Sequence, residues 1–355
     1  MEPYFLSLVR GEKRGLWPAF QRGSLRVLSG PYGLAMRCRN WLFDAGWKRR
    51  IKSPVPVISV GNLTMGGTGK TPCVEYVARF LSERDMRVAI LSRGYGSWQG
   101  CNDEALVLEE NLPDVPHLQG ADRAALAQIA VLELDSEILV LDDGFQHRRL
   151  MRDLDLVLID ATAPWGFGLF PRGILREPAS SLRRANLVIL TRCDQVGPEE
   201  LAKLRTRVQR IAPGIPIADS THEPAGWINS KQERRPLQEW RGRPLAAFCG
   251  IGNPDAFRRT LTTLGAEPMA FRIFPDHHPY SRNDVEDLRN WARQLAMDCV
   301  VVTTQKDLVK LRLDRIGDRE LWALEIHLQV GAGRDVLEEK LGKLASGGRK
   351  PPVAV

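Results

Sequence analysis

Short apolar runs alternate with amphipathic stretches through the middle of the chain. Five runs rich in Val, Ile and Leu predict buried strands of a parallel sheet: Val55–Val60, Val88–Leu91, Ile138–Leu141, Leu156–Ile159 and Leu187–Leu190. Between the first two runs, Thr71–Arg84 places apolar side chains at i, i+3, i+4 and i+7, which predicts a helix with one buried face. Strands that alternate with helices predict an α/β domain with a doubly wound parallel sheet, here over residues 53–213.

The apolar pattern weakens between residues 214 and 244, where Pro, Gly and charged residues become more frequent. This segment is predicted to be a linker. Three further apolar runs predict strands at Leu245–Cys249, Met269–Ile273 and Cys299–Thr303, and a helix is predicted at Asp284–Met297. We therefore expect a second, smaller α/β domain over residues 245–346. The Gly-, Lys- and Pro-containing tail, residues 347–355, is predicted to be disordered.

The positive charge of the chain is concentrated near its start. The 355 residues include 50 Lys or Arg and 43 Asp or Glu, a formal net charge of +7. Residues 1–52 contain eleven of the basic residues and three of the acidic ones, so the remainder is close to neutral. A near-neutral body argues against a nucleic-acid partner, because nucleic-acid binding needs a basic face on the folded domain.

The basic segment 1–52 is also rich in aromatic residues, including Trp17, Phe20, Trp41 and Trp47. It contains no run of about 18 uncharged apolar residues, so a membrane-spanning helix is not expected. Basic and aromatic side chains suit the headgroup layer of a bilayer, which predicts a helical segment that associates with a membrane surface. The alternative is a helical cap that packs on the core with its basic side chains in solvent.

The six cysteines are scattered along the chain without a CxxC pair. Neither a zinc site nor a disulfide framework is predicted, and a reducing compartment is expected. The first residues lack an uninterrupted apolar region followed by a small-residue cleavage site, so no secretory signal is expected.

A glycine-rich loop follows the first predicted strand and precedes the first predicted helix. It ends in Gly-Lys-Thr, as phosphate-binding loops do. Lys70 would contact the β- and γ-phosphates of a nucleotide, and the Thr71 hydroxyl would bind Mg²⁺. The common pattern has Gly where this loop has Thr64, and Gly66 and Gly67 can supply the backbone freedom. The predicted ATP-binding residues are Thr64, Met65, Gly66, Gly67, Thr68, Gly69, Lys70 and Thr71.

Two adjacent carboxylates, Asp142 and Asp143, end the third predicted strand. Ligands of open α/β sheets bind at the carboxyl ends of the strands, so these carboxylates are expected near the glycine-rich loop. Carboxylate oxygens are ligands that Mg²⁺ prefers, and either residue could contact the metal directly or through water. Either one could alternatively be a turn former before Gly144.

ATP binding alone does not define a kinase. A kinase also needs a group that positions or deprotonates the acceptor hydroxyl. Asp103 and Glu104 are candidates, although by spacing alone they could equally be acids of a loop. His277 and His278 lie in a turn-like segment of the second domain, where a His–Asp pair would give a base of controlled charge. A metal site and simple solvent exposure are the competing interpretations of the two histidines.

Several segments together resemble those of a known family, the tetraacyldisaccharide 4′-kinases of lipid A biosynthesis. The loop segment PVISVGNLTMGGTGKTP, which ends at Pro72, is similar to the family's variant loop, including the Thr at position 64. The other matching segments follow in the family's order across about 250 residues: LSRGYG (91–96), NDEA (102–105), GADR (120–123), LDDGFQH (141–147), LFPRGILREP (169–178), FPDHHPY (274–280) and TTQKD (303–307).

The resemblance implies a reaction and a location. The γ-phosphate of ATP would be transferred to the 4′-hydroxyl of a tetraacyldisaccharide 1-phosphate, a lipid A precursor. ATP and Mg²⁺ would be the cofactors, and the two domains would close over the sugar headgroup. The enzyme would lie at the cytoplasmic face of the bacterial inner membrane as a peripheral or monotopic protein, and we expect a monomer.

The resemblance also implies residue roles. Asp103 would accept the proton of the sugar hydroxyl, His277 would be its partner, and Lys70 would complete the catalytic set. The substrate-site positions would be Glu104, Arg123, His147, Arg176 and Glu177. The family commonly has GDEP where this chain has NDEA, and the segment between Gly96 and Asp103 is shorter than usual, so the cover over the acceptor is expected to differ.

Two other functions are compatible with the phosphate-binding loop alone. A membrane-associated ATPase or switch would hydrolyse ATP and form no lipid product. An ATPase that binds nucleic acid would show steeply salt-dependent binding to DNA or RNA, which the near-neutral body disfavours.

Overall fold

The computed structural model describes residues 3–94 and 103–347. These residues form two compact units. The first contains residues 3–93, 115–221 and 329–347, and the second contains residues 94, 103–114 and 222–328. Each unit is therefore assembled from segments that are distant in the sequence.

The described residues form ten α-helices and thirteen strands. The helices are α1 Pro3–Arg10, α2 Leu16–Asp44, α3 Lys70–Ser82, α4 Asp103–Asn111, α5 Arg123–Leu132, α6 Pro198–Ile211, α7 Pro254–Thr263, α8 Arg282–Arg293, α9 Gln305–Leu311 and α10 Arg334–Gly347. The strands are β1 Val57–Asn62, β2 Val88–Ser92, β3 His117–Gln119, β4 Ile138–Asp142, β5 Leu154–Asp160, β6 Leu187–Thr191, β7 Ile217–Ile228, β8 Arg234–Arg235, β9 Leu245–Cys249, β10 Ala270–Ile273, β11 Val300–Thr304, β12 Arg315–Ile316 and β13 Arg319–Val330.

The sheet of the first unit has the strand order β7-β6-β5-β1-β4-β2-β3, and all its pairings are parallel. Strands β1, β2, β4 and β6 are buried along their whole length, which explains their continuous Val, Ile and Leu runs. Since β1 has later strands on both sides, the loop after it lies where the strand order reverses. That position is the usual ligand site of such sheets.

Helix α2, the second helix of the first unit, presents an apolar face to the outside. Its exposed apolar residues are Leu16, Trp17, Phe20, Val27, Leu28, Leu34 and Trp41. Within the described ranges, no helix combines the length and the hydropathy needed to cross a bilayer.

The opposite side of α2 is fixed to residues 169–177 of the same unit. The Tyr32 hydroxyl donates a hydrogen bond to the Arg176 carbonyl at 2.8 Å, and the Ser29 hydroxyl donates one to the Leu169 carbonyl at 3.0 Å. Asn40 Nδ2 donates to Glu177 Oε2 at 2.9 Å. The helix is thus attached by side-chain hydrogen bonds along one side and exposes apolar groups along another.

The second unit is a smaller α/β structure. Its strands β10, β9, β11 and β13 lie side by side and are parallel. The short strands β8 and β12 pair antiparallel with β7 and β13. The carboxyl end of β11 leads directly into α9, whose N-terminus is capped by the Thr304 side chain.

Two sequence-based boundaries are wrong. The segment predicted as a linker, residues 214–244, contains the twelve-residue strand β7, the strand β8 and a 3₁₀ helix at Leu237–Trp240. Its few apolar residues are separated by polar ones and by Pro224, which hides the strand pattern. The second unit also includes residues 103–114, far upstream of the predicted domain at 245–346.

Part of the predicted tail and of the acceptor segment lies outside the described residues. Gly347 is the last residue of α10, and residues 348–355 are outside the described ranges. Residues 95–102, which include the end of LSRGYG and the shortened segment before Asp103, are also outside them.

Candidate active site

The glycine-rich loop joins β1 to α3 in the first unit. Gly66 and Gly69 have φ angles of 115° and 86°, in the left-handed region where a side chain would be strained. Met65 N donates to the Ile174 carbonyl at 2.7 Å, and Thr64 pairs with Leu175 in a β-bridge. The variant position Thr64 is therefore part of a short pairing with the 169–177 segment.

Neighbouring strands hold the far side of the loop. Asn62 Nδ2 donates to Thr68 Oγ1 at 2.8 Å, and the Thr191 hydroxyl donates to the Thr68 carbonyl at 3.0 Å. Arg192 Nη2 donates to the Gly67 carbonyl at 2.9 Å. These contacts hold the loop at the N-terminus of α3, a position at which anions bind.

Lys70, Asp143 and Arg176 form a charged cluster beside the loop. Lys70 Nζ lies 3.8 Å from Asp143 Oδ1, and Arg176 Nη1 lies 2.6 Å from Asp143 Oδ2. Burial alone would raise the pKa of the Asp143 carboxyl, but the positive charges of Lys70, Arg176 and Arg123 outweigh burial and lower that pKa. Asp143 is therefore a carboxylate at neutral pH.

The same cluster has the chemistry of a magnesium site. Asp143 Oδ1 is buried and accepts no hydrogen bond from the described residues. Asp142, at the end of β4, and Thr71, in the first turn of α3, are also buried. Mg²⁺ commonly uses one or two carboxylates together with substrate phosphates, and Asp142 and Asp143 are the carboxylates that could hold it here. No group of three or more His, Cys, Asp or Glu side chains suited to a metal occurs in the described ranges.

Three predicted substrate residues of the first unit lie near Asp143 or near one another. Arg123 opens α5, is buried, and is close enough to Asp143 to lower the pKa of its carboxyl. Burial, followed by the positive charges of Arg123 and Arg152, lowers the pKa of His147 to about 4, so its imidazole is neutral at neutral pH. Arg176 belongs to the cluster with Asp143.

Glu177 attaches α2 to the body of the first unit. Its side chain has no exposed surface, and its carboxylate accepts hydrogen bonds from Asn40 and Arg184, each at 2.9 Å. Burial alone would raise the pKa of Glu177, but Arg184 and the hydrogen bonds lower it. Its role in the substrate site stays a prediction.

The second unit brings Asp103 and His277 together. Asp103 opens α4 rather than lying in a loop, and His277 Nδ1 lies 3.1 and 3.0 Å from its two carboxylate oxygens. The Asp103 side chain is buried, whereas that of His277 is 59% exposed. His277 has a φ of 59°, a left-handed conformation that is uncommon for a residue with a side chain.

The Asp103 carboxyl of this pair is ionised at neutral pH. Burial alone would raise the pKa of the Asp103 carboxyl, but the His277 hydrogen bond and nearby lysine ammonium groups lower it to about 2. The same hydrogen bond, between His277 and Asp103, raises the pKa of the His277 imidazole. The carboxylate can therefore accept a proton, and its orientation is fixed by the imidazole.

Sequence reasoning missed the lysines of this site. Lys306 Nζ lies 2.7 Å from Glu104 Oε1, and Lys310 Nζ lies 3.7 Å from Asp103 Oδ2. Both lysines are in α9, four residues apart and therefore on one helix face. The available signal was the spacing from Lys306, inside the TTQKD segment, to Lys310, three residues after it.

Comparison with known proteins places the chain in one family. Residues 22–345 match the family described as Tetraacyldisaccharide-1-P 4′-kinase. A protein of Anaeromyxobacter sp. (strain K), named tetraacyldisaccharide 4′-kinase, is 40% identical over 96% of this chain and 95% of its own length. A protein of the same name from Halothermothrix orenii is 35% identical over 89% of this chain and 90% of its own length.

A solved structure has the same fold. It is LpxK from Aquifex aeolicus in complex with ATP, which is 33% identical and superimposes with a TM-score of 0.76. The similarity covers 91% of this chain and 99% of that chain. Both the sequence and the fold comparisons lead to the same result: the chain belongs to the tetraacyldisaccharide-1-P 4′-kinase family.

Proposed function

We propose that this protein transfers the γ-phosphate of ATP to the 4′-hydroxyl of a tetraacyldisaccharide 1-phosphate, a lipid A precursor. The observation that carries the proposal is the single family match over residues 22–345, which includes both the Lys70 cluster and the Asp103–His277 pair. The LpxK structure with ATP supports ATP as the phosphoryl donor.

In this proposal the first unit binds the nucleotide. The N–H groups of residues 64–69 and the N-terminus of α3 face the polyphosphate, and Lys70 contacts its terminal oxygens. Thr71, Asp142 and Asp143 hold Mg²⁺, which when bound neutralises charge on the phosphate oxygens.

Asp103 of the second unit acts on the acceptor. The 4′-oxygen of the sugar forms a bond to the γ-phosphorus while the bond from that phosphorus to the β–γ bridging oxygen breaks. The hydroxyl proton passes to the Asp103 carboxylate, and ADP leaves with the electrons of the broken bond. His277 orients this carboxylate and compensates its charge before the transfer.

The remaining polar residues would recognise the sugar phosphate. Arg123 and Arg176 supply positive charge near the phosphates, and the neutral imidazole of His147 can donate or accept one hydrogen bond. Glu104, held by Lys306, is the proposed acceptor for a sugar hydroxyl of the substrate.

We also propose that α2 rests on the cytoplasmic face of the inner membrane, where a tetraacylated substrate resides. Its exposed Trp and Phe side chains would enter the headgroup layer, and nearby Arg and Lys side chains would meet anionic lipids. The attachment is peripheral or monotopic, and a monomer contains both charged clusters.

The test is phosphoryl transfer from γ-labelled ATP to tetraacyldisaccharide 1-phosphate in detergent micelles. Wild type is expected to form labelled lipid. Lys70→Ala should lose most of both ATP binding and product, whereas Asp103→Ala should lower kcat by at least about a hundredfold and leave ATP affinity nearly unchanged.

Exposed residues with similar side chains give matched controls. Lys203, which is paired with Glu199 on α6, and Asp314, which is paired with Lys231, are exposed, and their Ala variants should retain wild-type turnover. ATP hydrolysis by wild type without labelled lipid would contradict the kinase and favour the ATPase or switch.

A further inference from the structure

The carboxylate of Asp307 lies fully buried in α9 and has no part in the proposed reaction. Its Oδ2 accepts hydrogen bonds from Gly250 N at 3.1 Å and from the Thr304 hydroxyl at 2.7 Å. Its Oδ1 accepts one from the Tyr280 hydroxyl at 3.0 Å and lies 3.4 Å from Lys310 Nζ. One buried anion therefore joins α9 to the turn that carries His277.

The contacts on one side of Asp307 fix that turn. The Gly250 carbonyl accepts a hydrogen bond from His277 N at 3.1 Å, so the peptide groups on both sides of Gly250 are used. A Cβ atom at Gly250 would lie 3.1 Å from Asp307 Oδ1 and 3.2 Å from the Tyr280 hydroxyl. His277 and Tyr280 both have positive φ angles, of 59° and 45°. Such a strained turn persists only where surrounding contacts determine it.

The contact on the other side of Asp307 reaches the proposed base. Lys310 Nζ lies between two carboxylates, 3.4 Å from Asp307 Oδ1 and 3.7 Å from Asp103 Oδ2. The Lys310 side chain is only 10% exposed, and its ammonium group lies 5.3 Å from the centroid of the Tyr280 ring. A charge this buried is weakly screened, and Lys310 is one of the groups that lower the pKa of the Asp103 carboxyl.

Lys306 also lowers the pKa of the Asp103 carboxyl, and by more than Lys310 does, but its closest partner is another carboxylate. Lys306 lies on the same helix as Lys310, but its ammonium group pairs with Glu104 at 2.7 Å. Asp276 lies 3.8 Å from the outer nitrogen of His277. Both carboxylate oxygens of Asp103 face His277 Nδ1, and Oδ2 also faces Lys310 Nζ. Lys310 is thus the cation that Asp307 and Asp103 share.

We propose that Asp307 and Lys310 are positioning residues for phosphoryl transfer. Lys310 orients the Asp103 carboxylate and stabilises its negative charge, and Asp307 anchors both Lys310 and the turn that presents His277. The inference rests on the proposed kinase function, and it gives a role to the TTQKD segment, whose last residue is Asp307.

The first experiment measures kcat and the KM for ATP against pH. Lys310→Met removes the cation, so protonation of Asp103 should extend to higher pH. The pKa of Asp103 is about 2, so a rise of about one pH unit leaves the carboxylate ionised at about pH 6 and above. In that range kcat should fall by at least about tenfold at every pH, because the carboxylate loses its orientation, and the KM for ATP should change by less than about twofold. Lys310→Arg keeps the charge and should retain most of the wild-type kcat. Asp307→Asn should also lower kcat, because the turn carrying His277 is released.

The exposed pair of Lys231 and Asp314, 2.9 Å apart in the same unit, provides the matched control. Lys231→Met and Asp314→Asn make the same chemical changes outside this site. Both variants should reproduce the wild-type pH profile.

The second experiment measures the protonation of the Asp103 carboxyl directly, without an activity assay. Titration of its carboxyl carbon by NMR, assigned with Asp103→Asn, should show a midpoint in Lys310→Met that is higher than in wild type by about one pH unit. An unchanged midpoint, or a kcat of Lys310→Met equal to that of wild type, would overturn the inference. A large rise in the KM for ATP would also overturn it, by making Lys310 a phosphate ligand. If wild type makes no labelled lipid while the midpoint still shifts, the kinase proposal fails, and the charge control of Asp103 by Lys310 stands.

Discussion

Gly61 lies in β1 against the backbone of Phe145. A Cβ atom at position 61 would lie 2.7 Å from the Phe145 Cβ and 2.8 Å from Phe145 N, and both atoms belong to the segment that follows Asp143. Only glycine therefore allows the strand before the phosphate-binding loop and the segment after the carboxylates to approach this closely. The glycine sets the distance between two parts of the nucleotide site.

Gly61→Ala should lower the free energy of unfolding by about 1–3 kcal/mol, because the backbone of Phe145 must move to accept the methyl group. ATP affinity should fall as well, since Asp143 is displaced with Phe145. Urea unfolding and nucleotide titration measure the two effects.

Gly342→Ala is the control, because its Cβ would meet no atom within 4 Å in α10. That variant should be neutral or stabilising by up to about 1 kcal/mol, and equal losses in both variants would contradict the steric explanation.

Asp103 should make the stability of the protein depend on acid. Its pKa is lowered from 3.8 to about 2 in the folded protein, so it binds its proton more weakly than in the unfolded chain. Its stabilisation is present above the unfolded pKa and is lost as pH falls toward about 2. The shift corresponds to about 2 kcal/mol.

Denaturant unfolding of wild type and Asp103→Asn between about pH 5 and pH 2 checks this dependence. Wild type should lose about 2 kcal/mol more than the variant over that interval. Asp255→Asn, at an exposed position of the same unit, should keep the wild-type acid dependence. Parallel curves for wild type and Asp103→Asn would show that the Asp103–His277 pair does not stabilise the fold.

At the scale of the element, α2 is an amphipathic helix of 29 residues, about 43 Å long. Hydrogen bonds from Ser29, Tyr32 and Asn40 attach one side of it to the 169–177 segment. That segment also pairs with Thr64 and supplies Arg176. The helix proposed to touch lipid and the loop proposed to hold ATP are therefore connected through one short stretch of chain.

Removal of apolar groups from the outer face of α2 should weaken membrane binding and leave the fold intact. Trp17 and Phe20 stack on each other and are 65% and 64% exposed, so Trp17→Ser with Phe20→Ser costs little packing. Cosedimentation with vesicles that contain anionic lipid should show at least about tenfold weaker binding of this double variant.

Leu132→Ser with Leu134→Ser changes exposed apolar residues elsewhere on the first unit and should bind vesicles like wild type. If both double variants bind equally well, α2 is not the membrane contact. The alternative of a helical cap in solvent would then be favoured.

At the scale of the whole molecule, the sequence predicted local structure better than assembly. Leu245–Cys249 was predicted with the bounds that the structure has, because a short apolar run between polar residues suffices to define a buried strand. Strand β7 was missed because Pro224 and alternating polar residues interrupt its apolar pattern. Local pattern also cannot show that residues 103–114 join the second unit, since that depends on contacts far along the chain.

The two charged clusters illustrate the same limit. Lys70 lies in a motif whose spacing implies its chemistry, so its neighbourhood could be predicted. The pairing of Asp103 with His277 followed only from a family resemblance, and Lys310 was missed. Its effect depends on a distance to Asp103 that no local spacing encodes.

The two members of the Asp103–His277 pair are 174 positions apart in the chain, and the sheet of the second unit is complete only when β13 has been made. At about 5–20 residues per second, a ribosome needs on the order of 10–45 s to pass from Asp103 to the end of that strand. Throughout this interval α4 has emerged without the residues that will cover Ala105, Val107 and Leu108, all of which are buried in the finished protein. The nascent chain thus carries the apolar residues of α4 uncovered for most of its synthesis.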